Sequence, residues 1–94
     1  MPDEKKEIKV KITDDVLMGR YANYMKVTHT SGEFVLEFAN LVPPMGAVVA
    51  KVFVNPGILR QIIDTLRENV KTYETNYGPI KEVKELKEEL GFKT

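Results

Sequence analysis

The sequence predicts an α+β fold: a four-stranded, mainly antiparallel sheet covered by one long helix, plus a short C-terminal helix. The order is β-β-β-β-α-α, and residues 1–94 form a single domain. Three observations predict this. Apolar residues alternate with polar ones through Ile8-Val10-Ile12 and Phe34-Leu36-Phe38, the period of a strand with one packed face. Asn55-Pro56 is a helix start, because Asn accepts from the free N–H groups of a first turn and Pro loses no bond it needed there. Finally, Leu59, Ile62, Ile63, Leu66, Val70, Tyr73 and Tyr77 recur at spacings of three and four, one stripe of a helix.

Taken in order, the first strand is expected at Ile8–Ile12, with Lys9 and Lys11 on its wet side. Asp14-Asp15 through Gly19 reads as a connection. Residues 20–29, rich in aromatic and β-branched types, are the second strand. Thr30-Ser31-Gly32 is a turn signal, and the strand of Phe34, Leu36 and Phe38 that follows closes an antiparallel hairpin. Leu41 to Gly46 reads as a loop, since Pro43-Pro44 cannot donate to a central ladder. Residues 47–54 are the fourth strand. The long helix covers residues 56–76, about 31 Å, which matches a nine-residue strand of about 30 Å. Gly78-Pro79 ends it. Ile80, Val83, Leu86 and Leu90 give a second helix its apolar edge. Phe34, Leu36 and Phe38 are expected to share one core with Leu59, Ile62, Ile63, Leu66 and Val70.

Composition narrows the function classes. Fourteen basic residues balance fourteen acidic ones, so the excess of Lys and Arg typical of nucleic-acid binders is missing. The chain has no cysteine, which removes disulfides and thiolate metal sites. Its first seven residues lack the apolar run of a secretion signal, and no stretch approaches the roughly 20 apolar residues of a membrane span. A cytoplasmic location is expected. Abundant Lys and Glu, a single Gln, and no Cys or Trp make the composition thermophile-like.

Candidate chemistry is thin. His29, Ser31 and Glu33 supply the residue types of a catalytic triad, but a triad needs a base held against a nucleophile beside an oxyanion site. A polar hairpin end accounts for the same residues. Asp14 and Asp15 could offer oxygen ligands, yet they lack the spaced ligand set of a cation loop. Lys5, Lys6, Lys9, Lys11, Arg20 and Lys26, with Tyr21 and Tyr24, could form a nucleic-acid platform on the basic N-terminal strands. Glu4, Glu7, Glu33 and Glu37 dilute it. The Lys and Glu residues between 81 and 89 pair at helical spacing as a solvated face. The expectation is therefore no enzyme, no catalytic residue, no cofactor and no metal.

Residues Tyr21-Ala22-Asn23, His29-Thr30-Ser31, Glu33-Phe34 with Leu36 and Phe38, then Asn55-Pro56 and a helix carrying Tyr73-Glu74, resemble an uncharacterised prokaryotic family, domain of unknown function 3467. The resemblance spans about residues 18–77 and implies no activity or site. At fold level, strands followed by a long helix resemble the SecB export chaperone, which carries little functional weight.

One pattern points to association. Strands 21–29 and 47–54 carry apolar residues on both faces, and a sheet with one wet face has no use for them. A 10.7 kDa chain is small for covering both. The expected partner is the chain itself, as a homodimer or higher even oligomer, with other proteins next and nucleic acid unfavoured. Met25, Val27, Val49 and Phe53 are the interface candidates. The rival cover is Val83, Leu86 and Leu90 folding back within the chain. The expected function is a non-enzymatic, self-associating protein-interaction module with a chaperone-like role as its extension. The alternative is nucleic-acid binding.

Overall fold

The computed structural model of the protein describes residues 6–82. It has a short helix α1 (Asp14–Met18), strands β1 (Tyr24–His29), β2 (Phe34–Val42) and β3 (Met45–Val54), and a long helix α2 (Pro56–Tyr77). The three strands form one antiparallel sheet in the order β1-β2-β3. The class is α+β, with an antiparallel sheet and a long helix as expected. Among the described residues the strands number three rather than four, and the element order is α-β-β-β-α.

The missing strand is Ile8–Ile12, which has no regular structure. All three of its apolar side chains are exposed. A period of two marks the ability to present two faces; a strand exists only where a neighbour completes its ladder, and here no sheet edge takes this segment. The second strand begins at Tyr24, not residue 20. Just before it, the Asn23 side chain does the work of a backbone. Its Oδ1 accepts from the Leu41 N–H at 2.8 Å and its Nδ2 donates to the Leu41 carbonyl at 3.0 Å. The Asn23 N–H donates to the Ala39 carbonyl at 3.0 Å. The β1–β2 ladder is thus prolonged by an amide side chain, which has both a donor and an acceptor.

Asn23→Ala removes both side-chain bonds and is expected to cost about 1–2 kcal/mol. Asn23→Asp keeps the acceptor but sets a carboxylate against the Leu41 carbonyl, so it is expected to cost at least as much. Urea denaturation checks this: an unchanged midpoint in the Ala variant would show the bonds to be idle.

Two segments read as connections are ordered. Asp14 to Met18 make one turn and a half of helix, ended by Gly19 at φ 77°, a left-handed conformation that suits glycine. Thr13 donates its hydroxyl to Asp15 Oδ1 at 2.8 Å, and Arg20 donates to the Gly19 carbonyl at 3.1 Å. The expected loop from Leu41 to Gly46 shrinks to Pro43-Pro44 alone. β2 runs to Val42 and β3 starts at Met45. The prolines take only the two turn positions, where no ladder N–H is required. Their peptide bond is cis, as in a type VI turn.

The long helix matches expectation to within one residue. Asn55 Oδ1 accepts from the Ile58 N–H at 2.8 Å, and Pro56 opens the first turn. Gly78, at φ 93°, closes it, and its N–H reaches the Glu74 carbonyl at 2.9 Å. The second helix expected over 80–90 falls mostly on residues 83–90, outside the described residues; Ile80 to Glu82 carry no regular structure.

The largest departure concerns how α2 sits. The helix does not lie across its own sheet: among the described residues, extensive contact joins only β1 with β2 and β2 with β3. No residue of α2 is buried. Of the expected core, Leu36 is buried at 7%, Phe34, Phe38, Leu59 and Ile62 are half-buried, and Ile63, Leu66 and Val70 are exposed. Ala39, at 5%, is the other buried apolar residue. The physical reason is that helix-on-sheet packing joins residues far apart in the chain. β3 ends at Val54 and α2 begins at Pro56, so Asn55 alone joins them. Asn55 has the extended backbone usual for an N-cap, at φ −80° and ψ 164°, and its side chain caps the helix.

Candidate self-association surface

Directly opposed residues in an antiparallel ladder share a face. The register therefore sorts the sheet into two sides. On one side stand three cross-strand rows: Met25–Phe38–Ala50, Val27–Leu36–Val52 and His29–Phe34–Val54. His29 is the sole polar member of these rows. On the other side stand Tyr24–Ala39–Val48, Lys26–Glu37–Lys51 and Thr28–Val35–Phe53. Their middle row is charged. Lys51 Nζ lies 4.0 Å from Glu37 Oε2 and 5.5 Å from the centre of the Phe53 ring. An exposed pair of this kind contributes little stability, but it shows which side suits water.

The first side is apolar and open. Val27, Met25 and Val52 are exposed there, while Leu36 between them is buried. Asn40 follows on the same side by alternation, and its amide oxygen is buried with no partner among the described residues. At one end of this side, Asp15, Val16 and Arg20, from α1 and just beyond it, face Phe38, Val49 and Ala50 across a shallow open hollow. Val16, Leu17 and Met18 of α1 add exposed apolar surface.

The second unpaired surface is the α2 stripe. Ile63, Leu66, Val70, Tyr73 and Tyr77 are all exposed, Leu66 at 60%. The Tyr73 and Tyr77 rings lean on each other at 5.0 Å, an i, i+4 contact along the stripe. At the helix end, Glu74 accepts from the Ile80 N–H at 3.0 Å, which holds the chain close after the helix stops.

The four interface candidates do not share one surface. Met25 and Val27 lie on the apolar side. Phe53 lies on the other, opposite Val35. Val49 is the extra residue of a β-bulge, between the pairs Phe38–Ala50 and Ala39–Val48, and is half-buried. A bulge breaks strict alternation, so reading faces straight along residues 47–54 puts its two halves out of phase. Sequence reasoning placed Leu36 and the helix stripe in a core; the structure leaves the stripe uncovered. No local signal carries this, because helix-on-sheet packing joins residues far apart in the chain.

The polar candidates are also placed. His29 stacks on Phe34, ring centres 5.1 Å apart, and makes no hydrogen bond to Ser31 or Glu33. Thr30 and Glu33 close the hairpin through the Thr30 N–H and Glu33 carbonyl at 2.9 Å. Asp14 and Asp15 occupy the first turn of α1. Among the described residues no cluster of His, Cys, Asp or Glu could hold a metal ion, and no helix is long and apolar enough to cross a membrane.

The profile of a family described as "Protein of unknown function (DUF3467)" matches residues 1–82. The chain belongs to this family. The DUF3467 match begins at residue 1, so it takes in the Ile8–Ile12 segment that lies outside the quoted motifs, and it ends close after α2. No curated protein and no solved structure matches the chain. The fold-level likeness to SecB is therefore not confirmed. DUF3467 membership carries no activity, so function rests on the surfaces above.

Proposed function

We propose that this DUF3467 chain is a non-enzymatic module that works by associating with copies of itself. The observation that carries the reading is the pair of apolar surfaces left uncovered by the described residues, one face of the sheet and the α2 stripe; the buried apolar side chains among those residues are Leu36 and Ala39. Ordering a backbone costs about 1–2 kcal/mol per residue, and burial must offset it. Two buried side chains offset little. Small domains meet this shortfall by associating, and a twofold arrangement lets one patch bury itself against its copy.

The nucleic-acid reading has less support. Lys9 and Lys11 sit on no strand, and Lys26 shares its row with Glu37, which gives a basic stacking platform little support among the described residues. A chaperone-like role has no observation of its own, since an apolar face sealed between copies does not serve a client.

Light scattering across a range of concentrations tests the proposal. The expected mass is an even multiple of the 10.7 kDa chain. A folded 10.7 kDa species at high concentration would overturn it.

A further inference from the structure

We infer that the copies exchange helices: α2 of one chain lies on the Met25–Val27–Val52 face of the other, and the exchange is reciprocal. The inference rests on the self-association proposed above and specifies its geometry. Four observations select this occupant.

The first is length. α2 has 22 residues, about 33 Å of helix, and β3 has ten, about 33 Å of strand. The second is matching chemistry. The rows Met25–Phe38–Ala50 and Val27–Leu36–Val52 present no charge, and the stripe through Leu66, Val70 and Tyr73 presents none either. The opposite face, with Lys26, Glu37 and Lys51 across its middle, is the poorer seat. The third is the link. A single residue, Asn55, joins β3 to α2, and among the described residues α2 makes no extensive contact with the sheet it follows. A short hinge favours exchange of an element between copies.

The fourth concerns the rival mode, pairing of sheet edges. β3 is a long apolar edge strand, but it carries a bulge at Val49 and a lysine at position 51, two devices that discourage edge-to-edge addition. Face-on docking of a helix is not hindered by either.

Cross-linking tests the geometry directly, because the chain has no cysteine to interfere. Two full-length variants are prepared, Val52→Cys and Leu66→Cys. They are mixed, unfolded, refolded together and treated with a short bismaleimide, which tolerates some offset in register. The mixture is expected to yield a covalent dimer on a denaturing gel, several-fold more than either variant alone. The Val52→Cys/Leu66→Cys double variant is expected to cross-link between chains as well.

Other results overturn the inference. Equal dimer from Leu66→Cys alone would mean that the helices pair with each other. A fast-migrating monomer from the double variant would mean that α2 folds back on its own sheet. Light scattering of both variants separates the two levels of the argument. A dimeric mass without any 52–66 cross-link removes the helix exchange and leaves self-association standing. A monomeric mass in the unmodified chain removes both.

Discussion

Leu66→Ala is expected to destabilise the protein by about 2–5 kcal/mol, the cost of truncating a packed core leucine. In the single chain Leu66 is 60% exposed on a capped helix. Alanine has the highest helix propensity, so on a helix left in water the substitution would be neutral within about 0.5 kcal/mol. The two surroundings thus give clearly different results. If α2 is buried against a second copy, the loss also depends on concentration, because folding and association are then one equilibrium. Denaturant titration at two protein concentrations, with wild type in parallel, reads both effects. A neutral Leu66→Ala would mean that the stripe stays in water.

The second large effect comes from a pair of neighbours. If a second copy covers that face, Val52→Asp is expected to cost at least about 3 kcal/mol, because it would set a carboxylate in an apolar contact where it has no partner. That approaches the whole stability of a small domain, so the variant is expected as a poorly folded or monomeric chain. Phe53→Asp is expected to cost no more than about 1 kcal/mol and to keep the wild-type mass. Phe53 is 55% exposed on the opposite side, beside Lys51. Adjacent residues on a strand face opposite ways, so the pair compares the two faces while holding position in the chain constant. Circular dichroism for folding and light scattering for mass check both variants. The reverse outcome, with Phe53→Asp dissociating and Val52→Asp tolerated, would move the interface to the charged side.

These predictions show where sequence reasoning reached and where it stopped. The cap at Asn55, the proline after it and the stop at Gly78 are short-range chemistry, satisfied by atoms within a few residues. They are legible along the chain, and α2 matches its expected limits to one residue. The hairpin of β1 and β2 is legible for the same reason: Thr30 to Glu33 make a local turn, and alternation fixes which residues oppose each other. The apolar surplus on the strands was also visible: Met25, Val27 and Val52 are exposed on the sheet.

What could not be read are the features that depend on distant atoms. Ile8 to Ile12 alternate as well as any strand here, but no neighbouring edge takes them. The bulge at Val49 depends on how β3 meets β2, and it separates Val49 from Phe53 and both from Met25 and Val27. The side chain of Asn23 became part of a ladder because Leu41 arrives beside it from 18 residues away. Periodicity determined that the helix and the sheet each have an apolar side, since that is a property of spacing alone. Only the tertiary structure decided that, among the described residues, these two sides do not meet, because contact between a helix and the sheet before it is made by residues far apart in the chain.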